Sequence, residues 1–230
     1  MSFIQAKPPA THDFYGPIHK GIRLALSRIL VRLGAADGDD PELGELLADL
    51  RAQCAISAHH LDNEDAEVHP ALEARAPGST GRLAQAHAHH RQAFEDIETL
   101  IVRVELSARA ERADLLKALY LRFSLFVAED FAHMAEEEQL FLPILQGLFT
   151  DRELMEIEDR IMSATTPADL VAHGRIVLPA ATRPERIALL DAIRATAPAE
   201  AFAGLMEAAA RPSLSPADFR HLCAGLGVAA

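Results

Sequence analysis

An all-α fold is predicted from three observations: an up-down four-helix bundle with a small C-terminal helical appendage. Helical periodicity dominates the 230 residues, and no segment alternates as a strand would. β-Branched residues are sparse and aromatic residues make up only 5%, which removes the usual material of sheets. Breaks rich in Gly, Pro, Asp and Ser leave four long segments with short connections, the pattern of antiparallel neighbours.

The first helix is expected from Pro17, a favourable first-turn residue, to Gly34. GAADGDD follows as a loop, and Asp40-Pro41 restarts a helix reaching about Ala74. APGSTG is the next break, and a third helix runs from Gly81 to Leu106. After SARAERA a fourth runs from Arg112 to Phe149. Thr150-Asp-Arg-Glu153 has the form of a capping box. Thr166-Pro167, Arg183-Pro184 and Ser215-Pro216 each look like a helix start with proline in the first position. The bundle is assigned to residues 12–160 and the appendage to 165–230. His173 and His221 of the appendage are isolated in sequence and read as surface or packing residues.

Composition excludes several classes. With 22 Lys and Arg against 34 Asp and Glu the formal charge is −12, which argues against nucleic acid or an anionic membrane as the main partner. Apolar runs are broken every few residues by charge, so no membrane span is expected. MSFIQAKPPATHDFYG lacks the basic-then-apolar pattern of a signal peptide, and the expectation is a soluble, cytoplasmic chain. Cys54 and Cys223 are far apart and suggest neither a disulfide framework nor a zinc ribbon.

Histidine is abundant: seven of the eleven lie between His59 and His133. In the third helix Leu83, His87, His90, Phe94, Ile97, Ile101 and Val104 follow alternating steps of four and three, an inward seam with two histidines where leucine is expected. His19, Ile22, Leu26, Ile29 and Leu33 form such a seam in the first helix. In the fourth it reads Phe126, Asp130, His133, Glu137, Leu140 and Ile144. In the second, Leu46, Leu50, Gln53, Ser57, His60, Glu64 and Ala71 are compatible. Two seams add a glutamate four residues after the histidine, which places the pair within ~40° around the helix and ~6 Å along it. Such groups can bind one metal or bridge adjacent metals. Buried unpaired carboxylates cost several kcal/mol, and a cation bound by imidazoles and carboxylates removes that cost.

The pattern repeats. His60, Glu64, Pro70 and Leu72 recur 73 positions later as His133, Glu137, Pro143 and Leu145, and His19 precedes His87 by 68. Two hairpins, each offering His and then His-x-x-x-Glu, give a pseudo-twofold site. Each proline is expected to kink or end its helix. A lone inward histidine is usually a hydrogen-bonded core residue, and one H-x-x-x-E is weak evidence. Four inward histidines, two matched glutamates and two matched prolines together point to a metal site.

Neighbouring polar residues read differently. His59 is rotated ~100° from His60 and faces outward or sideways. His69 is a non-ligand at a helix end, and His89 is exposed. Glu136 and Glu138 point away from the seam, as outer partners of ligands or as solvated groups. His90, one turn beyond His87, is left open between touching the metal and supporting a ligand. Asp130 either orients a ligand or caps the site; Cys54 and Met134 pack. With no Trp and only Tyr15 and Tyr120, few radical partners are expected near the site.

On these residues the chain resembles the hemerythrin-like family of HHE cation-binding domains, over about residues 12–160. The resemblance implies a four-helix bundle of hemerythrin type around a non-haem di-iron centre. By position, Glu64 and Glu137 would bridge two iron ions together with an oxo or hydroxo group, and His19, His60, His87 and His133 would be terminal ligands. Oxygen-carrying hemerythrins have a fifth histidine four residues after the third-helix one; here that residue is Arg91. The departure favours a reactive or sensing centre over simple O₂ carriage. The expected function is binding of, or reaction with, O₂, peroxide or NO. The alternative is an iron, oxygen or redox sensor, or an iron store, signalling to a protein partner or a second copy through the C-terminal helices; a structural zinc or manganese bundle is a third reading.

Overall fold

The computed structural model describes residues 11–229. Most of the stretch read for a leader signal, residues 1–10, lies outside them. Among the described residues all regular structure is helical. No helix is long and apolar enough to cross a membrane.

Helix α1 spans Tyr15–Ala35 and α2 spans Leu43–Asn63. A π-helical segment, Glu64–Val68, joins α2 directly to α3, His69–Arg75. Helix α4 is Gly81–Leu106, as the sequence predicts. After a 3-10 turn at Arg109–Glu111 comes α5, Arg112–Glu136. A second π segment, Glu137–Phe141, leads into α6, Leu142–Leu148. Four elements pack in a closed ring, α1 on α2 and α5, and α4 on α5 and α2. The first helix starts before Pro17 because the Asp13 carboxylate accepts from the free backbone N–H groups of Tyr15 and Gly16. The second starts after Pro41, because Asp40 and its carbonyl close a turn onto the N–H groups of Glu42 and Leu43.

The prolines do not end the helical path; each is preceded by a π segment. A proline lacks the N–H of the α-helical ladder, and its ring clashes with the carbonyl four residues back. Instead, the residue before each proline donates across a wider turn, His69 to the Glu64 carbonyl and Leu142 to the Glu137 carbonyl. The extra residue rotates everything downstream. Across the second π segment and α6 the predicted inward Leu140 and Ile144 are 55% and 41% exposed, while Phe141, Leu142 and Leu145 are buried. On the other hairpin Val68 and Leu72 are buried, and Ala71, predicted inward, is half-buried. In α4, Ala93 takes the fully buried place predicted for Phe94, whose ring packs beside Phe126.

Helices α7 (Asp151–Ala164), α8 (Pro167–Ala180), α9 (Arg183–Thr196), α10 (Ala199–Leu205), α11 (Arg211–Ser213) and α12 (Pro216–Leu226) complete the chain. A third π segment, Met206–Ala210, again begins six residues before a proline, Pro212. Helices of 11 to 14 residues are marginal alone. Caps by the N-cap side chain therefore matter more here than in the long bundle helices, whose N-cap residues make no such bond. Thr150, Thr166, Thr182 and Ser215 accept from the backbone N–H three residues on, each contributing about 1 kcal/mol. The capping box at Thr150 forms as predicted, and a second one at Thr182 starts α9 one residue ahead of Pro184.

Three apolar clusters result. One fills the ring between α1, α2, α4 and α5, with Leu26, Leu50, Ile97 and Phe126 at its centre. A second joins Tyr15, Val68, Leu83 and Leu145 to Leu154 and Ile157 of α7. The third, including Leu190, Phe202, Ala209 and Leu222, belongs to α8–α12. Between the first two lies a polar layer.

Candidate metal centre

Along each bundle helix the polar layer interrupts the core at one turn. His19 sits between Tyr15 and Ile22, and His87 between Leu83 and Ala93. His60 and His133 lie in the last α turn before each π segment, and Glu64 and Glu137 are the first residues of those segments. Helical periodicity turns all six side chains inward, and the π segments let each helix continue beyond its glutamate despite the proline.

The six residues converge as two groups of four. His19, His60, Glu64 and Glu137 form one; Glu64, His87, His133 and Glu137 form the other. Both glutamates are common to both. Glu64 presents Oε1 to His60 at 3.2 Å and Oε2 to His87 at 3.4 Å. Glu137 presents Oε2 to His19 at 3.5 Å and Oε1 to His133 at 3.1 Å. The His19 and His60 Nε2 atoms are 3.0 Å apart, and so are those of His87 and His133. Two nitrogens each about 2.1 Å from one ion, at right angles, are separated by about 3.0 Å.

Protein groups alone do not satisfy this layer. All four carboxylate oxygens of Glu64 and Glu137 are buried without a hydrogen-bond partner. Burial, and then the neighbouring Glu137 charge, push Glu64 well above the usual carboxylate range. Burial acts the same way on Glu137, but the imidazoles of His133 and His87 beside it outweigh burial and hold Glu137 low. Burial and the facing His19 push His60 well below its ordinary value, so that ring stays neutral with a lone pair available. Unpartnered buried carboxylates beside neutral imidazoles suit a cation that takes both.

An outer layer fixes the rings, and it repeats with the pseudo-twofold symmetry. His19 Nδ1–H donates to Glu138 at 2.9 Å, and Glu138 also accepts from Arg23 at 2.6 Å. His87 Nδ1–H donates to Asp65 at 2.9 Å, and Asp65 accepts from Arg91 at 2.7 Å. Each acid directly follows a shared glutamate, and each arginine lies four residues after its histidine. Tying down Nδ1 leaves Nε2 as the lone-pair nitrogen facing the centre. Arg91 is thus the counterpart of Arg23 in the repeat. Asp65 and the two arginines escaped the sequence reading, although the repeat His-x-x-x-Arg is visible at 19–23 and 87–91.

The remaining polar residues are placed as follows. His90 is buried but falls in neither group; its ring meets His133 edge-on, with centroids 5.0 Å apart, and its Nδ1 faces Asp130 at 3.7 Å. Burial, then the His133 and His87 charges, lower it to about 3. Asp130 is buried and pushed up to about 7 by that burial. His69 is buried at the start of α3, 2.9 Å from Asp65. His59 stacks on His173 of α8 at 5.4 Å. His89 is exposed and pairs with Glu129, and Glu136 pairs with Arg82. Met134 is core and Cys54 packs against it, its thiol pushed up to about 12 by burial. Tyr15 is the tyrosine that lies next to the site. It stacks on His19 at 5.2 Å, and its buried hydroxyl has no partner.

A helical ring whose core carries histidines and shared glutamates defines a metal-binding protein of the carboxylate–histidine class. The family model of the hemerythrin HHE cation-binding domain matches residues 16–145, and the chain belongs to that family. A search of curated proteins finds no match.

Proposed function

We propose that residues 12–160 form an up-down bundle that holds two iron ions, with His19 and His60 at one position, His87 and His133 at the other, and Glu64 and Glu137 spanning both. The observation that carries this reading is the sharing of both buried glutamates between two histidine pairs. Imidazole with carboxylate suits iron, and an iron pair supplies the electrons and open positions for binding or reacting with O₂, peroxide or NO. The chain's own residues supply the rest. Glu138 and Asp65 keep the His19 and His87 protons on Nδ1. The two apolar clusters exclude bulk water above and below the polar layer.

A second reading, a sensor that relays the state of the centre through residues 165–230, is supported by the direct packing of α8 on α1 and α2, the helices that carry His19 and His60.

Metal analysis with optical spectroscopy tests the assignment. Two irons per chain are expected, and Glu137→Ala should lose both because the residue serves both positions. Full iron retention in that variant, or a colourless zinc protein, overturns it. Peroxide consumption faster than by free iron separates an enzyme from a sensor.

A further inference from the structure

A partly enclosed cavity of about 180 Å³ lies where the C-terminal helices cover the bundle. Ile18 of α1, Ile161 of α7, Leu170 and Val177 of α8, and Leu189 and Ile193 of α9 contribute its walls. One end of it reaches Tyr15, His60 and Glu64. It therefore touches one metal position of the pair, the one shared by His19 and His60. The other half of the pseudo-symmetric site is different. There His133 and His90 border an open cleft with Arg82, Gln85, His89 and Glu136, a charged and wet surface.

Two features set what the cavity can take. Its size matches small organic molecules, since an apolar cavity of about 150 Å³ holds benzene and stays dry when empty. One of its lining residues, Tyr15, carries a polar group without a partner. The Tyr15 side chain is buried at 1% exposure, and its hydroxyl makes no hydrogen bond. A buried hydroxyl without a partner is costly, and one bordering an apolar cavity is satisfied by a ligand oxygen.

The geometry points to a binding pocket for a small apolar organic molecule carrying one oxygen function. Its apolar body lies between α7, α8 and α9, and its oxygen lies at the Tyr15 hydroxyl beside His60 and Glu64. The appendage completes the pocket, because α8 and α9 supply most of its outer wall. The pocket stands without the metal reading; only the placement of the ligand oxygen next to an iron position rests on it.

The test uses the full chain, prepared metal-free, titrated with fluorobenzyl alcohol and fluorobenzene by fluorine NMR. Saturable binding of both is expected, with the alcohol the tighter. Ile161→Phe and Leu189→Phe fill the cavity from opposite walls, and each should weaken binding by about tenfold or more while helicity is retained. Tyr15→Phe should remove the advantage of the alcohol and leave fluorobenzene unchanged. Absence of saturable binding to the wild-type chain overturns the pocket, as does wild-type binding by a folded filling variant. An undiminished preference for the alcohol in Tyr15→Phe overturns the role of the hydroxyl. In the iron-loaded chain the alcohol should shift the optical spectrum. Binding to a chain that fails to load iron would sustain the pocket and sink only the metal reading.

Discussion

Asp65 gathers three partners, the Nδ1 atoms of His87 and His69 and the guanidinium of Arg91. Glu138 does the same work for His19 with Arg23. Outer partners of this kind orient a ligand ring and raise its basicity, and their loss costs about 10–100-fold in metal affinity. Asp65→Ala should therefore weaken the position held by His87 and His133, and Glu138→Ala the one held by His19 and His60. Chelator competition on each variant measures this, and unchanged affinity in both would reject the arrangement. Glu138 also sets a pH dependence. Burial opposes its charge, but hydrogen bonds from His19 and Arg23 dominate and bring it to about 2, below the unfolded value of about 4.3. A depressed carboxylate stabilises the fold fully above its unfolded value and loses that contribution as pH falls toward 2. Acid unfolding of the metal-free chain should accordingly be shallower between about pH 4.3 and 2 in Glu138→Gln.

At the scale of the elements, the π segments decide which residues are inside. An unbroken α-helix after Glu137 would bury Leu140 and Ile144, whereas the observed register buries Leu145 completely. Leu145→Ala should then cost about 2–5 kcal/mol and Leu140→Ala less than about 0.5 kcal/mol by denaturant unfolding. The unbroken register demands the reverse order. The same step separates what could be read in the sequence from what could not. Periodicity located α4 to the residue and turned His19, His60, His87 and His133 inward, because a seam before any interruption follows 3.6 residues per turn. Beyond Glu64 and Glu137, within the π segments, the period slips by one residue, and a pattern read straight through points to the wrong face. Residue types and spacing picked out the six side chains that the fold brings together. Glu138 was weighed as an outer partner, but Asp65 and the arginines were missed because a charged residue beside a ligand looks like an exposed helix face until its partner on another helix is known.

The whole molecule depends on how closely the appendage lies on the bundle. Gly21 marks that approach. It is two residues beyond His19 but on another face of α1, and a Cβ there would lie 3.1 Å from the backbone of Ile176 and Val177 in α8. Ile18 and Tyr15 of α1 and Val177 of α8 border the cavity on either side of this crossing. A larger residue at 21 cannot be absorbed by a side-chain rotation, because what it meets is main chain. Gly21→Leu should push α8 away from α1 and open the cavity to solvent. The inward seam of α1, with His19, Ile22 and Leu26, faces the opposite direction and keeps its packing. The expected result is a chain that loads iron as the wild type does and no longer binds fluorobenzene. Its apolar walls should then bind a hydrophobic dye, and the joint at 165–166 should become more sensitive to proteolysis. Loss of iron together with the cavity would instead show that the appendage holds the His19–His60 half of the centre in place, making the two parts one cooperative unit.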